Sequence, residues 1–379
     1  TAKATTLESP LSIQRLTSED IKANPGGNFD ISKVIQSLPG VGGGAAGGTF
    51  RNDIIIRGGA PSENVFYLDG IEVPIINHFS TQGSGGGPQG ILNVSFIQDV
   101  KLSTSAFDAR YDNTLSSVFQ FKQKNGNANK LQGNFRMSGT EVAATLDGPI
   151  SKKTTFLASV RRSYLELLFK ALDLPIRPNY WDYQFKTTTK INDKTTLTTL
   201  GLAAIDEFRL AAPKEATPEK LFAINNNPLV NQWNYTLGVR HKLYLENSYW
   251  TFVASRSMLN NRVVKYQNND DSTEDNLSLK FISQEIDNKF RLENTARIKG
   301  WKYTFGLGSE ISKFTNSTFN KVFIPNIGEQ TIDFNAKLIF AKYSAFGQLS
   351  KSIFNNRLET MWNQAINSIS NKLSIGGCA

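Results

Sequence analysis

The sequence predicts a small α+β domain followed by an antiparallel transmembrane β-barrel, with the barrel truncated at the end of the chain. Three observations carry that expectation. Short turns built from Asn, Asp, Gly, Lys and Ser alternate with long polar connections through the second half. The segments between them alternate apolar and polar side chains, as in Thr236-Leu237-Gly238-Val239-Arg240-His241-Lys242-Leu243-Tyr244-Leu245. A Gly-rich segment of mixed pattern precedes them, running to residue 125. Tight turns at one end of the strands and generous loops at the other are the mark of a barrel that crosses a membrane.

Composition bounds the reading. The 379 residues leave room for two domains. Hydrophobic residues make up 39% and the mean hydropathy is −0.31, which by itself suggests a soluble protein. No run of 18 apolar residues exists, which excludes an ordinary membrane-spanning helix. It does not exclude a barrel, whose strands average lipid-facing and lumen-facing residues. The chain starts at Thr1 without a leader, so an export signal is expected to be removed or to lie upstream. One cysteine (Cys378) and two histidines (His78, His241) cannot assemble a structural zinc site, so neither a metal nor a cofactor is expected. The net charge of +9 comes from single basic residues with no block of five, which does not call for nucleic acid as a partner.

The first 125 residues justify the α+β part. Leu11, Ile13 and Leu16 suit a short strand, and Ser18 can cap a brief helix ending before Asn24-Pro25-Gly26-Gly27. Asp30 caps a stronger helix, because Ile31, Val34, Ile35 and Leu38 fall on one face. Leu38-Pro39-Gly40 stops it. Asp53-Ile54-Ile55-Ile56-Arg57 reads as a strand buried on both faces. Segments 65–68 and 71–73 flank Asp69-Gly70, a pair that favours a type I′ hairpin. A Gly-rich loop follows at 83–90, and strands near 96–102 and 118–123 close the unit. Asn125-Gly126-Asn127-Ala128-Asn129 is a polar connector, so the expected domains are 1–125 and 130–379.

Beyond the connector the pattern is strands alone. Examples are 135–138, 155–161, 182–191, 195–205, 233–245, 249–258, 277–290, 303–314 and 338–349, about ten in all. Several exceed ten residues, long for a globular sheet but ordinary for tilted membrane strands. Tight turns fall at 151–154, 192–194, 246–248, 299–300 and 355–356. Long connections are expected at 164–179, 207–231, 264–276 and 316–336. Tyr244, Tyr249 and Trp250 sit beside one tight turn, with Trp301 and Tyr303 beside the next, where an aromatic girdle at a membrane boundary would put them. After residue 357 the alternation is lost, and ten strands are too few to close around a domain of this size.

Patterns for catalysis do not emerge. The glycine runs at 42–48 and 83–90 match neither a phosphate-binding loop with its Lys nor a strand–GxGxxG–helix unit. Scattered carboxylates and two distant histidines give no nucleophile–base pairing, so an enzyme is not expected. Arg57, ending a buried strand, needs a carboxylate or carbonyl partner unless it reaches solvent from the strand's end.

In order along the chain, Leu38-Pro39-Gly40-Val41, Ile56-Arg57-Gly58 and Tyr67-Leu68-Asp69-Gly70-Ile71 resemble the plug domain of TonB-dependent outer-membrane receptors. Segment 65–78 with its following glycines, and Arg161-Arg162-Ser163-Tyr164, resemble a branch that often carries a carboxypeptidase-regulatory-like domain ahead of the plug. The resemblance covers residues 10–165; beyond them it rests on barrel texture. It implies a nutrient receptor of the Gram-negative outer membrane, its plug seated in a barrel of about 22 strands. It also implies TonB as the energy-transducing partner, gripping a short box ahead of the plug, with outer-membrane lipid, an unidentified nutrient and a surface lipoprotein as further partners. On that pattern Arg57, Gly58, Asp69 and Gly70 anchor the plug to the barrel. The exposed loop after the hairpin (Asn77, His78, Phe79) supplies candidate substrate contacts, together with Arg161 and Arg162, which equally suit a polar network in the lumen. No TonB box is recognisable before Leu11. Tyr111-Asp112 stands where the family usually has Tyr-Gly, and Lys101-Leu102-Ser103-Thr104-Ser105 precedes it, both departures from the iron–siderophore group. The alternative is a surface binding or adhesion protein that uses the barrel only as an anchor, although an anchor has no need of residues 1–125.

Overall fold

The structure is a computed structural model that describes residues 13–24, 30–43, 52–83, 86–104, 107–111, 114–353 and 358–377. Leu11 and the residues before it, Gly26-Gly27, most of the first glycine run, Asp112 and the turn at 355–356 lie outside the described residues.

Local chemistry sets the first elements. Thr17 ends β1 (Ile13–Thr17) and caps α1 (Ser18–Ala23) in a reciprocal box with Asp20, whose carboxylate accepts from Thr17 N at 2.9 Å. The cap therefore lies one residue before the expected Ser18. Asp30 caps α2 (Ile31–Gln36) by accepting from Ser32 N, and Leu38 packs on the core just past the helix. β2 (Val41–Gly43) pairs with β3 (Ile54–Ile56). β4 (Asn64–Leu68) and β5 (Ile71–Glu72) form the hairpin. Asp69 has φ 51 and Gly70 φ 85, the two left-handed residues a type I′ turn requires. β6 (Asn77–His78) pairs with β7 (Gln89–Gly90). With β8 (Ile97–Ser103) and β9 (Ser117–Gln123), the central sheet runs β1-β8-β9-β4-β5, parallel only between β4 and β9. Its core includes stacked Phe66 and Phe119, with centroids 5.2 Å apart, and Phe121 beside them.

The second half is one antiparallel sheet of 11 consecutive strands. They are β10 (Gln132–Met137), β11 (Glu141–Ser151), β12 (Thr154–Ser163), β13 (Ile176–Asn192), β14 (Thr195–Leu210), β15 (Leu229–Tyr244), β16 (Ser248–Tyr266), β17 (Leu277–Ile298), β18 (Trp301–Ile324), β19 (Gly328–Ile353) and β20 (Leu358–Gly377). Short helices occupy two of the long connections, α3 (Leu165–Ala171) and α4 (Pro218–Asn226). Two expectations are corrected. Segment 316–336 is no loop: β18 and β19 continue as a paired ribbon to a turn between Ile324 and Gly328. The stretch after 357 is a strand, paired with β19 from Ile353↔Leu358 to Phe334↔Gly377. In both, backbone pairing persists although the sequence mixes polar and apolar residues without strict alternation, which hides the period-two signal.

Strands β13, β15 and β18 present polar residues to one side and apolar residues to the other over much of their length. On the inner side lie Asp182, Gln184 and Lys186 of β13, Asn234 and Thr236 of β15, and Thr304 and Ser312 of β18, all buried. On the outer side lie Tyr183 and Phe185, Trp233 and Leu237, and Phe305, Leu307 and Ile311, all exposed. This is the reverse of a soluble protein, and it is stable only where lipid meets the outer side. Trp250, Trp301 and Tyr303 face outward next to the tight turns, as a girdle requires, whereas Tyr244 and Tyr249 pair with each other on the inner side. A second outward belt, Trp181 with Tyr183 and Trp233 with Tyr235, lies toward the long loops. Tyr235 is opposite Met258, roughly 20 Å above Trp250 for a tilted strand, which fits the height of a membrane's apolar band.

The N-terminal domain packs against the inner side. Leu200, Leu202, Ala204 and Val253 of the wall join its core beside Ile71. Gly238 allows the closest approach, since a Cβ there would lie 2.7 Å from Ile71. A charge at mid-height on the outer side tests the orientation. Leu307→Arg is expected to destabilise the wall in lipid vesicles by about 2–4 kcal/mol, measured by urea unfolding. No such loss would mean that this side does not face hydrocarbon.

Candidate functional site

The chemistry concentrates in the seam between the N-terminal domain and the wall, in two tiers. The tier nearer the long loops starts at the α2 cap. The Asp30 carboxylate accepts from Ser32 N and Gly90 N, each at 2.9 Å, and from the Asn52 amide. Gly90 is needed there, because a Cβ would sit 2.5 Å from Asp30 Oδ1. The Gly90 carbonyl accepts from Arg161 Nη2 of β12. Arg161 Nε donates to Asp182 Oδ2 at 2.6 Å, and Nη1 reaches Glu141 Oε2 at 3.4 Å. Asp182 Oδ2 also meets His78 Nε2 at 3.0 Å, and Asp206 Oδ1 meets His78 Nδ1 at 2.6 Å. The second Asp206 oxygen accepts from Phe79 N at 2.8 Å. Tyr180 lies flat on the imidazole at 3.9 Å and donates to Glu141.

His78 is fully buried between two carboxylates. A neutral imidazole has one donor and one bare lone pair, so one of these contacts would set a lone pair against an anion. Only the imidazolium satisfies both. Burial pulls the pKa down, but Asp206 and Asp182 outweigh it and hold the value above the ordinary 6.5.

The tier nearer the tight turns is built on the Asp69-Gly70 turn. Asp69 Oδ2 pairs with Lys186 Nζ at 2.9 Å, and its carboxylate accepts from the backbone and side chain of Gln123. Its carbonyl accepts from Arg240, and the Gly70 carbonyl from Arg291 Nη2 at 2.8 Å. Glu72 pairs with Lys289 at 2.7 Å.

The expected site residues divide accordingly. Asp69 and Gly70 meet the wall. Arg57 and Gly58 do not: Arg57 is exposed at φ 49 in the turn after β3, Gly58 follows at φ 80, and among the described residues no wall carboxylate pairs with Arg57. The strand ends at Ile56, so the guanidinium is free to reach water and needs no buried partner. Nor is the loop after the hairpin an exposed ligand surface. Asn77 and His78 are buried, Ser32 donates to Asn77, and Phe79 is half-buried with its N–H bound to Asp206. Arg161 belongs to the buried network and Arg162 faces outward, stacked 4.8 Å over Trp181. Sequence reasoning missed Asp182, Asp206, Glu141, Lys186, Arg240, Lys289 and Arg291. Their signal was a charge inside a strand at the inner parity, a position that demands a partner.

Comparison with known proteins follows this geometry. Residues 5–118 match the family model described as TonB-dependent Receptor Plug Domain. Over that stretch the chain is similar to the plug of TonB-dependent receptors. No curated protein matches it in sequence. Among solved structures it is similar to the ferripyoverdine receptor of the outer membrane of Pseudomonas aeruginosa, with TM-score 0.68 and 12% identity over 98% of this chain and 54% of that one. It is also similar to the ferric yersiniabactin uptake receptor of Yersinia pestis, with TM-score 0.64 and 10% identity over 97% and 62%. A ferric enterobactin receptor of Pseudomonas aeruginosa gives TM-score 0.60 and 14% identity over 97% and 60%. The chain thus spans little more than half the length of the structures it matches. Identities this low establish the fold alone: a plug followed by an antiparallel sheet that matches part of the receptors' barrel.

The His78 clamp makes plug docking pH-dependent. Because the folded pKa is raised, the docking contribution is complete below pH 6.5 and is lost as pH climbs through the raised value. Hydrogen exchange of the plug in the full-length receptor is expected to show protection around residues 77–80 falling on the alkaline side, and His78→Phe to remove that dependence. Arg161→Ala, which leaves Asp182 and Glu141 short of a partner, is expected to cost about 3–5 kcal/mol of plug docking, read in the same experiment.

Proposed function

We propose that this receptor binds a nutrient at the loop end of its barrel and imports it past the plug, using energy from the inner membrane delivered by TonB. The observation that carries the reading is the seam itself. A domain that only filled a hole would be held best by apolar packing. Here the wall grips the plug largely through charged and hydrogen-bonded groups on both sides of a small apolar patch. Polar contacts of this kind can be exchanged for contacts with water or solute as the plug moves. The plug is proposed to span residues 1–125 and the barrel to occupy 130–379.

Asp69 and Gly70 are proposed as plug anchors, joined by His78 and Arg161. Substrate recognition is proposed for the long loops above the upper tier. The three solved structures described above carry ferric siderophores in their names, but Tyr111-Asp112 and the Lys101 segment depart from that group, so we propose a nutrient receptor of broader class. By its motifs it resembles the branch that often bears a carboxypeptidase-regulatory-like domain, and a surface lipoprotein is proposed as a partner on the same ground. The rival, a barrel serving only as an anchor for adhesion, gives the plug no task.

Deletion of residues 13–123 from the full-length receptor separates the two. In planar bilayers the intact receptor is expected to pass almost no current in KCl and the deletion variant to open large, steady conductance steps. In cells, accumulation of the nutrient is expected to fall to the level of a strain lacking TonB. Unchanged conductance and unchanged accumulation would favour the anchor.

A further inference from the structure

Two cavities lie between the plug hairpin and strands β15–β19, one above the other. The upper, about 230 Å³, is lined by Asn64 and Pro74 of the plug and by Thr236, Ser257, Glu285 and Asp287 of the wall. The lower, about 70 Å³, is lined by Tyr67 and Arg110 of the plug and by Ser255, Arg291, Gly308 and Ser344 of the wall. At ~30 Å³ per water, the lower holds a few waters and the upper a small solute. Glu72 lines both.

What separates them is one row of side chains. Ser255, Lys289, Glu310 and Lys342 stand in register across β16, β17, β18 and β19, all facing inward. Lys289 bonds Glu72 of the plug at 2.7 Å and Glu310 at 3.4 Å, and Lys342 bonds Glu310 at 3.2 Å. This ladder of alternating charge joins the plug to the wall at a single level. One position higher on the inner faces, Ser257 stands opposite Asp287, with Glu285 above it. Neither carboxylate is in an ion pair among the described residues, so the upper cavity is anionic.

We propose that the two cavities are segments of one solute passage along β15–β19, closed by the Glu72–Lys289 ion pair, and that its upper part admits cationic or neutral polar solutes ahead of anions. Moving the hairpin carries Glu72 away from Lys289, which keeps its second partner in Glu310, so the gate opens without leaving a lysine unpaired. Below the gate the wall side of the lower cavity is lined by the small residues Gly308 and Ser344. The inference rests on the transport reading. Its test reports access to the passage whether or not any nutrient is carried, so the two can fail separately.

Ser257 and Ser255 are successive inward positions on β16, one above the gate and one level with it. Each is changed to Cys in a full-length receptor carrying Cys378→Ser, and intact cells are treated with membrane-impermeant methanethiosulfonates, one cationic and one anionic. Ser257→Cys is expected to react, about tenfold faster with the cationic reagent. Ser255→Cys is expected to react slowly until Lys289→Ala or Glu72→Gln is added, and then about tenfold faster, the change given by losing about 1.4 kcal/mol of closing interaction. Glu72→Gln keeps the shape of the side chain, and retention of the folded, heat-modifiable band on gels selects the variants to be read. A Ser255→Cys rate that ignores both gate substitutions, or equal rates of the two reagents at Ser257→Cys, overturns the proposal.

Discussion

The wall's outer surface must satisfy lipid, and the rest of the structure follows from that requirement. Period-two alternation leaves no choice: a strand with Tyr183 and Phe185 outside must carry Asp182, Gln184 and Lys186 inside. Those inner groups are then shut away from bulk water by the plug, and a buried charge without a partner is costly. The plug therefore has to answer each one. It does so with His78 and the Gly90 carbonyl for Asp182 and Arg161, and with Asp69 for Lys186. The interface is charged because the exterior is apolar.

What was legible in the sequence was whatever local chemistry decides. Asp30 had to cap a helix and Asp69-Gly70 had to turn a hairpin, since φ preferences and an orphan N–H can be read without neighbours. The barrel was legible because its two ends differ in turn length. The seam was not. His78 finds its carboxylates 104 and 128 residues away, on β13 and β14, and nothing near His78 announces them. Exposure was misjudged for the same reason: glycines around the loop suggested a free surface, while the partners that bury it lie on the wall. Arg57 failed in the opposite sense. Its motif suggested a buried partner, but the strand ends one residue earlier and leaves it in water. The last strand escaped notice because its sequence does not alternate apolar and polar residues, so backbone pairing alone defines it.

The two tiers grip different parts of the plug. The upper holds the segments around His78 and Gly90, tied back to the α2 cap through Asp30, so that helix, loop and wall form one hydrogen-bonded chain. The lower holds the hairpin at its turn. Between them the apolar contact of Ile71 with the wall fixes the hairpin's depth, and Gly238 makes room for it. β4 is held in the plug core against β9, whereas β5 is a short edge strand paired only with β4, so its Glu72 end is the least anchored part of the hairpin.

Hydration decides which tier yields first. His78, Arg161 and Asp182 are almost wholly enclosed, so parting any one of them leaves another charge dry, a penalty of about 3–5 kcal/mol for a broken buried pair. Glu72 and Lys289 differ. Their side chains are 22% and 23% exposed and border cavities large enough for water, so either group, once released, is solvated where it stands. Screened pairs of this kind contribute about 0–1 kcal/mol when fully exposed and somewhat more here. A force applied to the plug therefore meets firm attachments in the upper tier and at Asp69–Lys186, and a weaker one at Glu72–Lys289. The Glu72 contact would part while the buried pairs still hold the plug within the barrel.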